Sequence, residues 1–100
     1  MRIEKVKSYL GFAIRSGNVI FGSDKLFEVK KLPKVVIICS TQNEKVAGKV
    51  LRFCENNNIY AIRLEELVLS DLIARDNCKV LSILDTSLAE VIKKEFEMGK

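Results

Sequence analysis

Val35-Val36-Ile37-Ile38-Cys39 is an unbroken apolar run in which four of the five side chains are β-branched, closed off by Pro33-Lys34 on one side and Ser40-Thr41-Gln42-Asn43 on the other. Successive side chains of a strand point to opposite faces, so a strand with no polar position has no face to offer to water. The run predicts a central strand with a helical layer on each side. Working outward, Val80-Leu81-Ser82-Ile83-Leu84 is a second strand of this kind, and Val19-Ile20-Phe21 and Tyr60-Ala61-Ile62-Arg63 are shorter ones. Helical spacing fills the intervals. Ile3, Val6, Leu10 and Ala13 predict a helix from about Ile3 to Arg15, ended by Ser16-Gly17-Asn18. Ser23 is placed to cap a second helix with Asp24 in its first turn, Leu26, Val29 and Leu32 on its apolar side, and Pro33 as its stop. Val46, Ala47, Val50, Leu51 and Cys54 form a third apolar stripe, Leu67 to Ala74 a short fourth helix, and Leu88, Ile92 and Phe96 the core side of a last helix capped by Thr86-Ser87. The alternation α-β-α-β-α-β-α-β-α implies an α/β fold with a mainly parallel or mixed sheet between two helical layers.

One hundred residues, 48% of them hydrophobic, are one domain's worth of chain with ample core, and residues 1–100 read as a single domain with no linker or repeat. Cys39, Cys54 and Cys78 are odd in number and widely spaced, with no CxxC pair, which predicts three reduced thiols and a cytoplasmic protein. Met1-Arg2-Ile3-Glu4-Lys5 opens an amphipathic pattern without the apolar core of a signal peptide, and no run approaches the ~20 apolar residues that cross a bilayer, so no membrane partner is expected.

The chain has no His, which removes the commonest general base and the commonest transition-metal ligand. Cys39 precedes a strand-loop-helix junction of the kind used by phosphate-handling thiols, but the loop Ser40 to Glu44 has no Gly to wrap amides round an anion and the cation after it is Lys45. Cys39 and Cys54 are expected to be buried structural thiols, and Cys78, in a turn, the most exposed of the three. No catalysis, metal or cofactor is expected.

The net charge of +4 is unevenly spread: residues 1–34 carry eight basic and three acidic groups, and the remaining residues nine and ten. A local cationic excess is the electrostatic signature of a polyanion partner, although solvated lysines also need none.

Several segments taken together resemble a known family. Arg15-Ser16-Gly17-Asn18 is followed by Gly22-Ser23-Asp24-Lys25-Leu26, then by Lys34-Val35-Val36-Ile37-Ile38, then by Glu65-Glu66-Leu67 and Ala74-Arg75-Asp76-Asn77. Nearly the whole chain resembles the ribosomal protein family of L-seven-Ae and L-thirty-e, and within it the short bacterial YlxQ-like branch. The resemblance implies a three-layer α/β/α sandwich around a four-stranded mixed sheet. It also implies binding to kink-turn or ribosomal RNA, with the ribosome as a possible host and a role in translation as a ribonucleoprotein component; the protein is expected to act as a monomer. The family's RNA-reading segment, Gly-Ala-Asn-Glu with a Lys three residues on, falls on Gly22, Ser23, Asp24 and Lys25, with Glu28 at the Lys position. An acceptor and a donor survive in swapped order, and the downstream cation is lost. The family's second contact loop matches Leu64 to Ser70, so the resemblance implies an RNA-contacting set of Arg15, Asn18, Gly22, Ser23, Asp24, Lys25, Glu28, Lys31, Leu64, Glu65, Leu69 and Ser70.

Chemistry gives these positions a rationale. Gly22 would let a phosphate approach the backbone, or would merely permit a turn at positive φ. Asp24 can accept from guanine N1–H and N2–H₂, and Lys25 can donate to guanine O6 and N7; alternatively Asp24 only complements a helix dipole and Lys25 is only solvated. Arg15, Lys30, Lys31 and Lys34 could hold phosphates without reading sequence, or solvate a helix end. The absence of Trp and of interleaved aromatic and basic residues disfavours a single-strand platform. A protein-interaction module on the same fold is the alternative, kept open by the altered Asp24, Lys25 and Glu28.

Overall fold

The central strand forms where its apolar run requires it. The computed structural model describes residues 2–98 and contains α1 (Ile3–Arg15), β1 (Val19–Phe21), α2 (Ser23–Phe27), β2 (Val35–Ile38), α3 (Glu44–Asn56), β3 (Tyr60–Arg63), α4 (Leu69–Ile73), β4 (Val80–Ile83) and α5 (Thr86–Met98). Met1, the first residue of the opening amphipathic segment, lies outside the described residues. The strands form one mixed sheet in the order β1-β4-β2-β3. β4 runs antiparallel to both its neighbours, with Val36 opposite Ser82 and Ile20 opposite Ser82, while β2 and β3 run parallel, with Ile37 opposite Ile62.

The strand period of two sorts the core into two layers. Val35, Ile37, Leu81 and Ile83 meet Leu10 of α1, Leu69 of α4 and Ile92 of α5 on one face. Val36, Ile38 and Val80 meet Leu26 of α2 and Val50 and Cys54 of α3 on the other. All four residues of β2 and all four of β4 are buried, Ile37 and Ile83 included. This is the expected three-layer α/β/α sandwich around a four-stranded mixed sheet.

Local chemistry sets the helix ends. The Asn43 side chain accepts from the amides of Lys45 (2.8 Å) and Val46 (3.4 Å), capping α3. Asp85 caps α5 by accepting from the Leu88 amide at 2.8 Å, a role the sequence had suggested for Thr86-Ser87; Thr86 is already helical, and the cap falls one residue earlier. Opposite the chain's start, Arg2 pairs with the buried carboxylate of Glu95, its Nη2 2.6 Å from Oε2 and its Nε 3.1 Å from Oε1. Hydrogen bonding to Arg2 holds the Glu95 carboxyl below its usual range against the opposing effect of burial.

Three expectations require correction. α2 stops at Phe27 instead of running to Leu32, which is left 39% exposed. Leu26, Val29 and Leu32 recur strictly every third residue, and on a helix of 3.6 residues per turn such a series drifts by roughly 120° from first to last, carrying Leu32 off the core face. Pro33 also disfavours a helical Leu32. α4 covers only Leu69–Ile73, because Val68 is extended (φ −96°, ψ 128°) and Ala74 is left-handed (φ 52°). Cys78 is buried and not exposed: Asn77, at φ 61°, turns the chain so that the thiol enters the core.

Candidate nucleic-acid interface

The antiparallel placement of β4 brings the C-terminal ends of β1, β2 and β3 together with the N-terminal end of β4 at one end of the sheet. Gly22 lies there. Its amide donates to the Val80 carbonyl at 2.9 Å, and the Cys39 amide donates to Lys79 at 2.8 Å. The backbone of Gly22 sits at φ 89°, ψ 162°, a conformation closed to side chains, so the turn itself demands glycine. A Cβ at that point would meet no heavy atom within 4 Å, so the space beside the backbone is also open. The turn reading of Gly22 is borne out, and the space beside its backbone is unfilled by the protein itself.

Gly22, and not Ser23, is the N-cap of α2, and no side chain caps that terminus. Ser23 is the first helical residue and half-buried. Asp24 and Lys25 are exposed beside it, and Glu28 is the exposed C-cap one turn later.

The second loop reaches the same end from β3. Adjacent strands stand about 4.8 Å apart, so the end of β3 is roughly 14 Å from that of β1. The loop folds back over the end of the neighbouring β2: the Leu64 amide donates to Ile38 at 2.9 Å, the Ser40 hydroxyl donates to the Leu67 carbonyl at 2.9 Å, and the Leu69 amide donates to the Cys39 sulfur at 3.3 Å. This pinning turns Leu64 and Leu69 into the core. Their side chains are thereby removed from the expected contact set, and the half-buried Leu67 and Val68 are the apolar groups that the loop leaves partly accessible. Glu65 is exposed, and Ser70 is half-buried in the first turn of α4.

Two cations that the sequence reading passed over belong to this end. The Arg75 guanidinium lies 3.9 Å from the centroid of the Phe21 ring, directly before Gly22, and Lys79 donates to the Thr41 hydroxyl. They stand in the part of the chain whose summed charge is close to zero, so charge counting gave them no weight. Below them the Thr41 hydroxyl lies 3.1 Å from Cys39 Sγ. Burial alone would push the Cys39 thiol up; the hydrogen bonds from Thr41 and the Leu69 amide, with the Lys79 charge, together bring it below its usual value. Arg63 and Glu44 pair at 2.5 Å across the start of α3, an exposed pair in which the hydrogen bond lowers the Glu44 carboxyl.

Carboxylates match the cations here. Asp24, Glu65, Glu66 and Asp76 are exposed along with Lys25, Arg75 and Lys79. The remaining expected contacts are elsewhere. Arg15 closes α1 and Asn18 immediately precedes β1, so both lie at the opposite end of the sheet. Phe27 meets Phe53, near the end of α3, with ring centroids 5.4 Å apart, and Lys34 donates its amide to Ile83 at 2.8 Å; the segment 28–34, with Lys31, therefore also belongs to that opposite end. The single RNA-facing surface expected from the sequence is two groups of residues at two ends.

Among the described residues no helix is long and apolar enough to cross a membrane. No family model matches the chain, and no curated protein matches it. The chain is similar in fold to a solved protein of unknown function from Bacillus halodurans, with a TM-score of 0.83 at 19% identity over 93% of this chain and 97% of that one.

Proposed function

We propose that the protein is a cytoplasmic, non-enzymatic binder of structured RNA, of kink-turn or ribosomal type, and that the Gly22 end of the sheet is where it reads that RNA. The observation that carries this reading is the open backbone at Gly22, flanked by the Phe21–Arg75 stack and by Asp24 and Lys25. A sugar–phosphate backbone can approach peptide atoms closely at such a point, and an acceptor and a donor on adjacent residues can address the edge of a base. The partly accessible Leu67 and Val68 supply an apolar surface against which an unstacked nucleotide could pack.

The test is titration of a kink-turn RNA and a plain duplex of equal length at two salt concentrations. Asp24→Ala or Lys25→Ala should cost roughly 1–3 kcal/mol on the kink-turn RNA and much less on the duplex if each contacts a base. Equal affinity of the native protein for both RNAs would remove kink-turn recognition. The near-balance of carboxylates and cations at this end favours a second reading, a protein-docking module; absence of binding to either RNA at low salt would select it.

A further inference from the structure

We propose that the opposite, Asn18 end of the sheet is a separate RNA-binding face that grips the sugar–phosphate backbone without reading sequence. This goes beyond recognition at the Gly22 end and shares with that reading only the class of ligand. Two segments build the face, and β4 stitches them side by side. The Asn18 carbonyl accepts from the Leu84 amide at 2.9 Å, and the Lys34 amide donates to the Ile83 carbonyl at 2.8 Å. The ends of β1 and β2 thus flank the end of β4, roughly 10 Å apart. That spacing places Arg15, just before Asn18, at the same end of the sheet as Lys30, Lys31 and Lys34. All four are exposed, and none takes part in a salt bridge among the described residues.

The carboxylates of this end offset them only in part. Glu28 is the one acidic group in the segments 15–18 and 28–34. Asp85, which follows Leu84, is turned towards α5, where it accepts from the Leu88 amide. Glu55 stands further along the sheet, near the end of α3. A nucleic-acid backbone suits the face better than an acidic protein surface because of Phe12. Its ring is 54% exposed on α1, and the Arg15 guanidinium lies 4.9 Å from its centroid. A planar guanidinium held on an open ring presents a fixed fork that matches phosphate oxygens, a geometry suited to a nucleic-acid backbone. Because α2 ends early, the segment 28–34 is non-helical and carries three exposed lysines to the sheet end.

The test uses the full chain and a triple variant, Lys30→Gln, Lys31→Gln and Lys34→Gln, titrated against the plain RNA duplex and the kink-turn RNA over a range of salt. Thermal unfolding of the variant confirms that these exposed substitutions leave the fold intact. The expected result is a loss of about tenfold or more in affinity for both RNAs at low salt. The slope of log affinity against log salt should fall by about two to three, the loss of that many phosphate contacts. Unchanged affinity and slope would overturn the proposal, as would equally tight competition by poly-glutamate. Gly22→Val separates the two ends: it should abolish preference for the kink-turn RNA while duplex binding keeps its salt slope. If the native protein shows no such preference, recognition at the Gly22 end fails, and the triple variant still decides the Asn18 end. If the native protein binds neither RNA, both fail.

Discussion

At the Gly22 end the chain leaves three strands and enters one, and the loops there are held by side-chain hydrogen bonds from Ser40 and Lys79 and by the Arg63–Glu44 pair. At the Asn18 end the connections are held by backbone bonds to Ile83 and Leu84, while Arg15, Lys30, Lys31 and Lys34 stand free of ion pairs among the described residues. One end has a defined shape and nearly balanced charge; the other has unbalanced charge on simple turns. Shape is what discriminates between nucleic acids, and unpaired charge is what attracts all of them. Under the two proposals above, the Gly22 end would discriminate and the Asn18 end would attract.

The sheet holds both ends on one core. Ile37, fully buried in the central strand, tests that support. Ile37→Ala should cost roughly 2–5 kcal/mol in urea unfolding, through lost transfer energy and the cavity left behind, and should weaken both ends together. A loss below about 1 kcal/mol would mean that the ends do not depend on a common core.

Gly22 and Gly17 provide a matched pair. Both have positive φ, 89° and 76°, and a Cβ at either would meet no heavy atom within 4 Å. Valine at either position should cost about 1–3 kcal/mol of stability from backbone strain. Only Gly22→Val should remove discrimination between the kink-turn RNA and the duplex. Equal loss of discrimination from both substitutions would assign the effect to strain and not to the approach of RNA.

The thiols sharpen the contrast in a third way. Cys39, at the Gly22 end, is held below the usual thiol value by its hydrogen bonds and by Lys79, whereas burial pushes Cys54, on α3, up to about 11. Both are buried, and a fluctuation small enough to leave Thr41 and Lys79 beside Cys39 keeps its thiolate share above that of Cys54. Mass-spectrometric mapping after mild alkylation should find Cys39 modified before Cys54. The reverse order would show that the Gly22 end is the less readily opened of the two regions.

The smallest expected effect concerns Arg2 and Glu95. The Glu95 carboxyl is held below its usual value of 4.5 by Arg2, so its contribution to stability is complete above that value and is lost as pH falls through the lower, folded one. Glu95→Gln should therefore be less stable than the native protein at neutral pH, and the gap should close in the acid range. Urea unfolding between pH 3 and 7 measures it. A gap independent of pH would mean that Glu95 acts through packing, and in either case RNA discrimination should not change.

Much of the fold could be read along the chain because its signals are local. Five adjacent apolar residues at Val35 to Cys39 allow a strand no solvated face, and α1 and α3 have stripes long enough for the helical period to be unmistakable. The short elements are less legible for a related reason. In α2 and α4, five residues each, apolar spacing spans little more than one turn, and Val68 and Ala74 take conformations set by the strands to which the chain must connect. Among the candidate contacts, Gly22, Asp24 and Lys25 were found because a strand-to-helix junction is a local feature. Arg75 and Lys79 were missed because their relation to Gly22 passes through β4, nearly sixty residues later in the chain.

The sequence by itself determined the alternation of helices and strands, the two fully buried strands, the core faces of the long helices and the position of the glycine that the first strand-to-helix turn requires. These follow from hydrophobic period and backbone sterics, which act over a few residues. Only the tertiary structure decided which ends of the strands coincide. The run of β1 itself sets Arg15 and Asn18 at the far end from Gly22, but only the insertion of β4 antiparallel between β1 and β2 placed Lys31 there with them and brought Arg75 and Lys79 to Gly22. Bonds from the loop to Ile38, Ser40 and Cys39 turned Leu64 and Leu69 inward, and the turn at Asn77 did the same for Cys78. Strand order depends on contacts between residues far apart in the chain, and no local pattern of charge or hydrophobicity records it.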